Sequence, residues 1–162
     1  NIVEVAHPLL RRLRDVTGHT AVQTLPAREG SLVVASMPNE FEPGVAIQLG
    51  TLLAFPKSPS ARLGRYFEGG RFDFGKLEEN LARFGMDYEI DVHGNGLGGI
   101  AAPIFEADGS LASTIGLVLS STLVDPEPSA ELIEHVGRAA AQVQARYADG
   151  ATSPHMPARS AV

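Results

Sequence analysis

Residues 95–121, NGLGGIAAPIFEADGSLASTIGLVLSS, contain two runs suited to a pleated and mostly buried surface, 100–105 and 111–119, joined by Glu106-Ala107-Asp108-Gly109. Asp-Gly between apolar runs is a strong turn signal, because Gly109 can take a positive φ that most side chains resist. The pattern predicts a β-hairpin. It is too apolar to stand alone, so it is expected at the centre of a sheet whose faces the rest of the chain covers.

Outward from the hairpin, 93–96 (HGNG) reads as a Gly-rich turn and 87–92 as an alternating strand. Before them, 73–84 has Leu77, Leu81 and Phe84 at helical spacing and stops at Gly85. Residues 60–67 form another helix, with Ser58 as its cap, ending at Gly69-Gly70. Residues 19–25 and 31–37 read as paired strands with Gly30 as the turn residue, 38–44 as a loop and 45–48 as a further short strand. At the start, Pro8 suits the first turn of a helix carrying Leu9, Leu10, Leu13 and Val16 and stopping at Gly18. At the other end, 129–148 carries Leu132, Ile133, Val136, Ala139, Ala140, Val143 and Tyr147 as one apolar stripe that closes over the sheet. From Asp149 onward two prolines and the loss of apolar period predict a disordered tail, 149–162. The expected architecture is one α+β domain with a mainly antiparallel sheet of about six strands and helices packed on it.

Bulk composition narrows the function. The chain has 162 residues, 44% of them hydrophobic and 20% charged, with no apolar run of the roughly 18 residues that would span a bilayer. Its opening, NIVEVAHP, lacks the parts of a secretory signal and does not begin with Met, so it reads as a fragment or a processed chain. The absence of cysteine removes disulfides, thiolate nucleophiles and Cys-type metal sites, and fits a cytoplasmic protein. A net charge of −6 argues against a nucleic-acid-binding face. The basic run Arg11-Arg12-Leu13-Arg14 reads as the solvated side of a helix.

No residue pattern makes a convincing catalytic set. Residues 94–99 (GNGLGG) superficially fit a dinucleotide loop, but that loop needs a helix after it and here a strand follows. The five histidines, His7, His19, His93, His135 and His155, show no metal-ligand spacing, so neither a metal nor another cofactor is implied. Glu89 and Asp91 are two apart on a predicted strand and would share a face, as paired carboxylates must. Ser58, Ser60, Ser120 and Ser121 sit in no nucleophile elbow. A small-molecule pocket between the 58–60 loop and the hairpin is the modest inference.

The succession 17–35, 49–67 and 77–121, followed by a long terminal helix, resembles the effector-binding domain of IclR-family transcriptional regulators. The most specific parts are GLGGIAAPIF-x-x-x-G at 96–109 and RFGMDYE at 83–89, and the likeness covers residues 8–148. It implies a GAF-like curved antiparallel sheet with helices on both sides, assembly into dimers or tetramers, and an N-terminal winged helix-turn-helix that binds operator DNA and has no counterpart in these residues. It also implies a domain, 1–148, that senses a small effector and is not an enzyme. Carried over by position, the effector-binding residues are Pro59 and Ser60 before the pocket helix, Glu89, Gly99 in the Gly-rich turn, and Gly116 and Val118 on the second hairpin strand. Gly116 and Val118 offer no side-chain donor and Pro59 no N–H, whereas members holding small keto acids place hydroxyls and exposed amides there. The expected effector is therefore aromatic or otherwise hydrophobic and not a two- or three-carbon acid. Two other readings stay open: a dimerisation module whose pocket is closed, and a hydrolase using Glu89 with His93.

Overall fold

Period-two alternation along the central hairpin divides the molecule into two faces. The computed structural model describes residues 1–39, 47–92 and 94–152. The hairpin consists of β5 (Leu97–Phe105) and β6 (Leu111–Ser120), turning at Gly109 with φ 89°, as the Asp-Gly signal predicts. Asp108 accepts from the Ser110 hydroxyl at 2.6 Å and its amide at 2.9 Å, and these bonds hold its carboxyl below the ordinary range.

The register sets Gly99 opposite Val118, Ala101 opposite Gly116 and Pro103 opposite Thr114, all on one face. The other face carries Ile100, Ala102, Ile104, Ile115, Leu117 and Leu119, buried in the main core. That core is closed by α1 (Ile2–Thr17), through Ala6, Leu9, Leu10 and Leu13, and by α4 (Ala130–Thr152), through Val136, Ala139, Ala140 and Val143. On the opposite side, α2 (Pro59–Phe67) and α3 (Gly75–Phe84) bury Leu63 and Leu77 with Ala101, and Tyr66, Phe67 and Phe74 pack around them.

The sheet has six strands in the order β3-β2-β1-β6-β5-β4, every neighbouring pair antiparallel, with β1 at Thr20–Ala27, β2 at Gly30–Met37, β3 at Leu52–Ala54 and β4 at Asp87–Glu89. With helices on both faces of a curled antiparallel sheet, this is the expected GAF-like α+β architecture. A register shift between Gln23 and Thr24 adds a residue to β2, so Ala35 and Met37 face the α1/α4 core while Ser31 shares the face of Thr24. Among the described residues, no helix is long and apolar enough to cross a membrane.

Four local readings need correction. First, α1 begins at Ile2: the Asn1 side chain accepts from the amides of Val3 and Glu4 at 2.9 and 3.0 Å, and Pro8 lies inside the helix. Val16, expected on the apolar face, is 49% exposed. Second, a strand lies at Leu52–Ala54, and Ile47 and Gln48, the described part of the strand expected over 45–48, belong to no strand; 45 and 46 lie outside the described residues. Third, the β1–β2 turn is made by Arg28 and Glu29, and Gly30 already belongs to β2. Its missing Cβ leaves room for the carbonyl of Leu53 on β3. Fourth, the strand predicted over 87–92 ends at Glu89. The terminal helix starts one residue after Ser129, whose hydroxyl accepts from the Leu132 amide at 3.2 Å, and runs past Ala148 to Thr152. The rest of the predicted tail lies outside the described residues.

Gly116 is a backbone constraint as well as a pocket residue. A Cβ there would collide with the Ile100 carbonyl, lying 2.8 Å from its carbon and 3.0 Å from the Ala101 Cα. Relief requires a shift of one strand against its neighbour, and overpacking of this kind costs about 1–3 kcal/mol. Gly116→Ala is therefore expected to lower the unfolding free energy by that much, seen as a lower urea midpoint at an unchanged denaturant slope. A midpoint equal to that of the wild type would show that β5 and β6 can part without penalty.

Candidate functional site

A cavity of about 80 Å³ lies between the first turn of α2 and the face of the sheet that carries Gly99 and Gly116. On the measure by which one water needs about 10–15 Å³, it holds several waters or a small ring. Pro59, Ser60, Gly99, Gly116 and Val118 all line it, so five of the six residues carried over by position converge on one space.

The sixth, Glu89, does not line it. Glu89 pairs with Gly99 across β4 and β5 and so stands on the same face, but Arg62 of α2 intercepts it there. The Arg62 guanidinium donates to Glu89 Oε1 at 2.9 Å, to Asp87 Oδ2 at 3.0 Å and to the carbonyls of Pro56, Lys57 and Tyr88 at 2.9, 3.2 and 3.1 Å. Asn80 donates to the other oxygen of the buried Asp87 at 2.9 Å. Nor do Glu89 and Asp91 act as a pair: the strand ends before Asp91, which accepts from the Gly94 amide at 2.8 Å. His93, the other member of the hydrolase reading, lies outside the described residues.

Most of the wall escapes sequence reasoning. Val22 and Thr24 come from β1, whose register sets Val22 opposite Gly116 and Thr24 opposite Thr114. Ile47, Leu53, Val92 and Leu97 complete much of the apolar lining, and none of the described lining side chains is charged. Strand alternation alone would have put Val22 and Thr24 on a common face. Only the strand order shows that this face is the one holding Gly116.

The cavity's polar side chains are Asn95, whose side-chain carbonyl accepts from the Leu97 amide at 3.1 Å, and four hydroxyls bonded to one another or to Ser31. Thr24 and Thr114 share a hydrogen bond of 2.6 Å, Ser58 and Ser60 one of 2.8 Å, and Ser60 and Ser31 one of 2.5 Å, all buried. Five hydroxyl protons serve three bonds, so two are left to donate elsewhere. Ser58, expected to cap α2, spends its hydroxyl on Ser60 instead, and no side chain caps this helix. Pro59 has no N–H, and the amides of Ser60 and Ala61 have no intrahelical acceptor. The site therefore offers an apolar floor with donors along one rim. Among the described residues, no group of three His, Asp or Glu side chains could hold a metal ion.

No protein-family model matches the sequence, and no curated protein matches it either. The structure is similar to that of Pseudomonas aeruginosa HmgR, with a TM-score of 0.76 at 19% identity over 90% of this chain and 66% of that one. It is also similar to the Thermotoga maritima IclR, with a TM-score of 0.74 at 16% identity over 90% of this chain and 68% of that one. An IclR homolog from Microbacterium hydrocarbonoxydans, solved in complex with 4-hydroxybenzoate, has a TM-score of 0.69 at 15% identity over 89% of this chain and 67% of that one. At such identities the likeness speaks for the fold, and the fold is the one expected from the sequence resemblance. The chain spans about two thirds of the length of these regulators.

Gly99 and Gly116 should respond differently to the same substitution. A Cβ at Gly99 would lie 3.5 Å from Val92 Cγ2 and 3.6 Å from Pro59 Cγ, ordinary contacts inside the cavity. Gly99→Ala is expected to hold or raise the urea midpoint, since replacing a strand glycine by alanine is worth roughly 0.5–1 kcal/mol. A loss comparable to that of Gly116→Ala would mean that the space over Gly99 is needed by the fold.

Proposed function

We propose that this chain is the effector-sensing domain of an IclR-type transcriptional regulator, and that the cavity over Gly99 and Gly116 is its ligand site. The observation that carries the reading is the convergence of Pro59, Ser60, Gly99, Gly116 and Val118, from three separate stretches of sequence, on one uncharged cavity. The effector on this reading is an aromatic or otherwise hydrophobic small molecule. Its apolar body lies against Val22, Gly99 and Val118, and its oxygen faces the donors of Ser60 and of the first turn of α2. Glu89 is not among its contacts. The Microbacterium homolog's 4-hydroxybenzoate is a ligand of this general kind.

Sensing needs no catalysis. The effector binds one arrangement of the full regulator better than another and shifts the population toward it, by no more than the difference in affinity. The DNA-binding winged helix and the partner subunits of a dimer or tetramer belong to this proposal, as does a cytoplasmic setting. A hydrolase built on Glu89 is disfavoured by the Arg62 contact, which occupies the carboxylate that would have to act as base.

A thermal-shift screen over 4-hydroxybenzoate, phenols, aryl ketones and short keto acids, followed by calorimetry, tests the reading. A ligand at 100 times its Kd stabilises by about 2.7 kcal/mol. That corresponds to a melting-temperature rise of roughly 5–10 °C for a domain of this size. Aromatic members should give the shift and short keto acids should not, and Gly99→Leu should abolish it. Silence across the panel, or a shift that survives Gly99→Leu, would refute the site.

A further inference from the structure

Arg62 lies outside the cavity, yet its bonds reach the segments that set the width of the site. Two of its bonds go to the carbonyls of Pro56 and Lys57, the residues that lead into the Ser58-Pro59-Ser60 wall. The others go to Asp87, Tyr88 and Glu89 on β4. Asp87 is paired with Ala101 and Glu89 with Gly99, so these anchors stand beside the floor of the cavity. Pro59 covers that floor closely, its Cγ 3.6 Å from where a Gly99 Cβ would be. One guanidinium thus bonds to the wall on one side and to the strand next to the floor on the other.

We infer that Arg62 is the positioning residue of the ligand site, holding the entry to α2 at a fixed height over Gly99 and so setting which ligands fit. The inference rests on the reading of the cavity as a ligand site. Its physical basis is the shape of the arginine side chain. A guanidinium presents five N–H donors in a rigid plane, and here its three nitrogens serve five acceptors in different directions. A lysine keeps the charge but carries three donors on one nitrogen, so it can keep Asp87 and must release part of the 56–57 segment. The charge balance of the knot would survive while its geometry would not.

The test compares Arg62→Lys with wild type by amide hydrogen exchange and by calorimetry, using 4-hydroxybenzoate and the uncharged 4-hydroxyacetophenone as probes. Two amides report the wall: Ser58, bonded to the Ala54 carbonyl at 3.1 Å, and residue 62, bonded to the Ser58 carbonyl at 3.0 Å. The β5–β6 amides report global stability. Arg62→Lys should exchange at Ser58 and residue 62 at least tenfold faster at an unchanged β5–β6 rate, and should bind the better probe at least tenfold more weakly. A uniform acceleration, or unchanged wall amides, would reduce Arg62 to a stabilising residue and overturn the inference. Faster wall exchange with undiminished affinity would overturn it too. If wild type binds neither probe but binds others in the screen, the tightest aromatic of those takes their place; if it binds none, the ligand-site reading falls and the inference with it, whatever the exchange rates show of Arg62's hold on the wall. Should Arg62→Lys not fold, Glu89→Gln removes one charged arm at a carboxylate 36% exposed, and the same two amides should still accelerate ahead of the hairpin.

Discussion

The close pairing of β5 and β6 is the constraint from which the rest of the structure follows. At Gly116 the neighbouring Ile100 carbonyl occupies space that any side chain would need, so the centre of the sheet is tight by backbone contact alone. Because side chains alternate, the same two strands turn Ile100, Ala102, Ile104, Ile115, Leu117 and Leu119 to one helical layer, while the other face has Gly99, Ala101 and Gly116 at its centre, flanked by Thr114 and Val118. Large residues on one face draw α1 and α4 down to a dry core. Small residues on the opposite face leave α2 standing off the sheet, and the gap is the cavity. Core and site are two consequences of one alternation.

What keeps that gap from collapsing is polar. Arg62 and Asp87 are both largely buried, and taking two charges out of water is repaid only where the remaining donors and acceptors are met. Here they are met: Asn80 and Arg62 serve Asp87, and backbone carbonyls take the guanidinium protons that the carboxylates do not. A hydrophobic residue of similar size at position 62 could satisfy packing, but it would hold neither the 56–57 carbonyls nor β4. The network's contribution is geometric, because it ties a helix entry to an edge strand beside the cavity.

The features legible in the sequence were those decided within a few residues. Gly18, Gly85 and Gly109 each take the positive φ that a helix end or a tight turn requires, and each stands where the pattern placed it. The helical stripes and the hairpin runs were readable for the same reason. Pro8 misled because proline is favoured at a first helical turn, while the cap was Asn1 and the helix began at Ile2, six residues before Pro8. Gly30 looked like a turn residue, although the need for glycine there comes from Leu53, which no local pattern connects to it. The site divides in the same way. Positions on the hairpin and at the α2 entry were identifiable, but Thr24 reaches the cavity only through its pairing with Thr114, across a separation in sequence that alternation cannot bridge. Glu89 was placed on the correct face and still missed the site, because its partner Arg62 comes from another element.

The hydroxyl pairs bear on what such a cavity can accept. An empty apolar pocket with isolated hydroxyls would leave buried polar groups unsatisfied, at about 1–3 kcal/mol each. By bonding Thr24 to Thr114 and Ser60 to both Ser58 and Ser31, the domain avoids most of that penalty while keeping two protons to donate. A ligand oxygen can take those protons without displacing a bond already made. A fully ionised group is less readily served, since no described lining side chain carries a compensating charge and the end of a short helix returns only about 0.3–1 kcal/mol, up to roughly 2 in a partly buried setting. Against a desolvation penalty of several kcal/mol per buried ion, that leaves a carboxylate favoured only where its oxygens reach the open amides of Ser60 and Ala61. On the ligand-site reading, the apolar floor and the paired hydroxyls act together: the floor sets the size of the ligand's hydrocarbon, and the rim sets where its oxygen must lie.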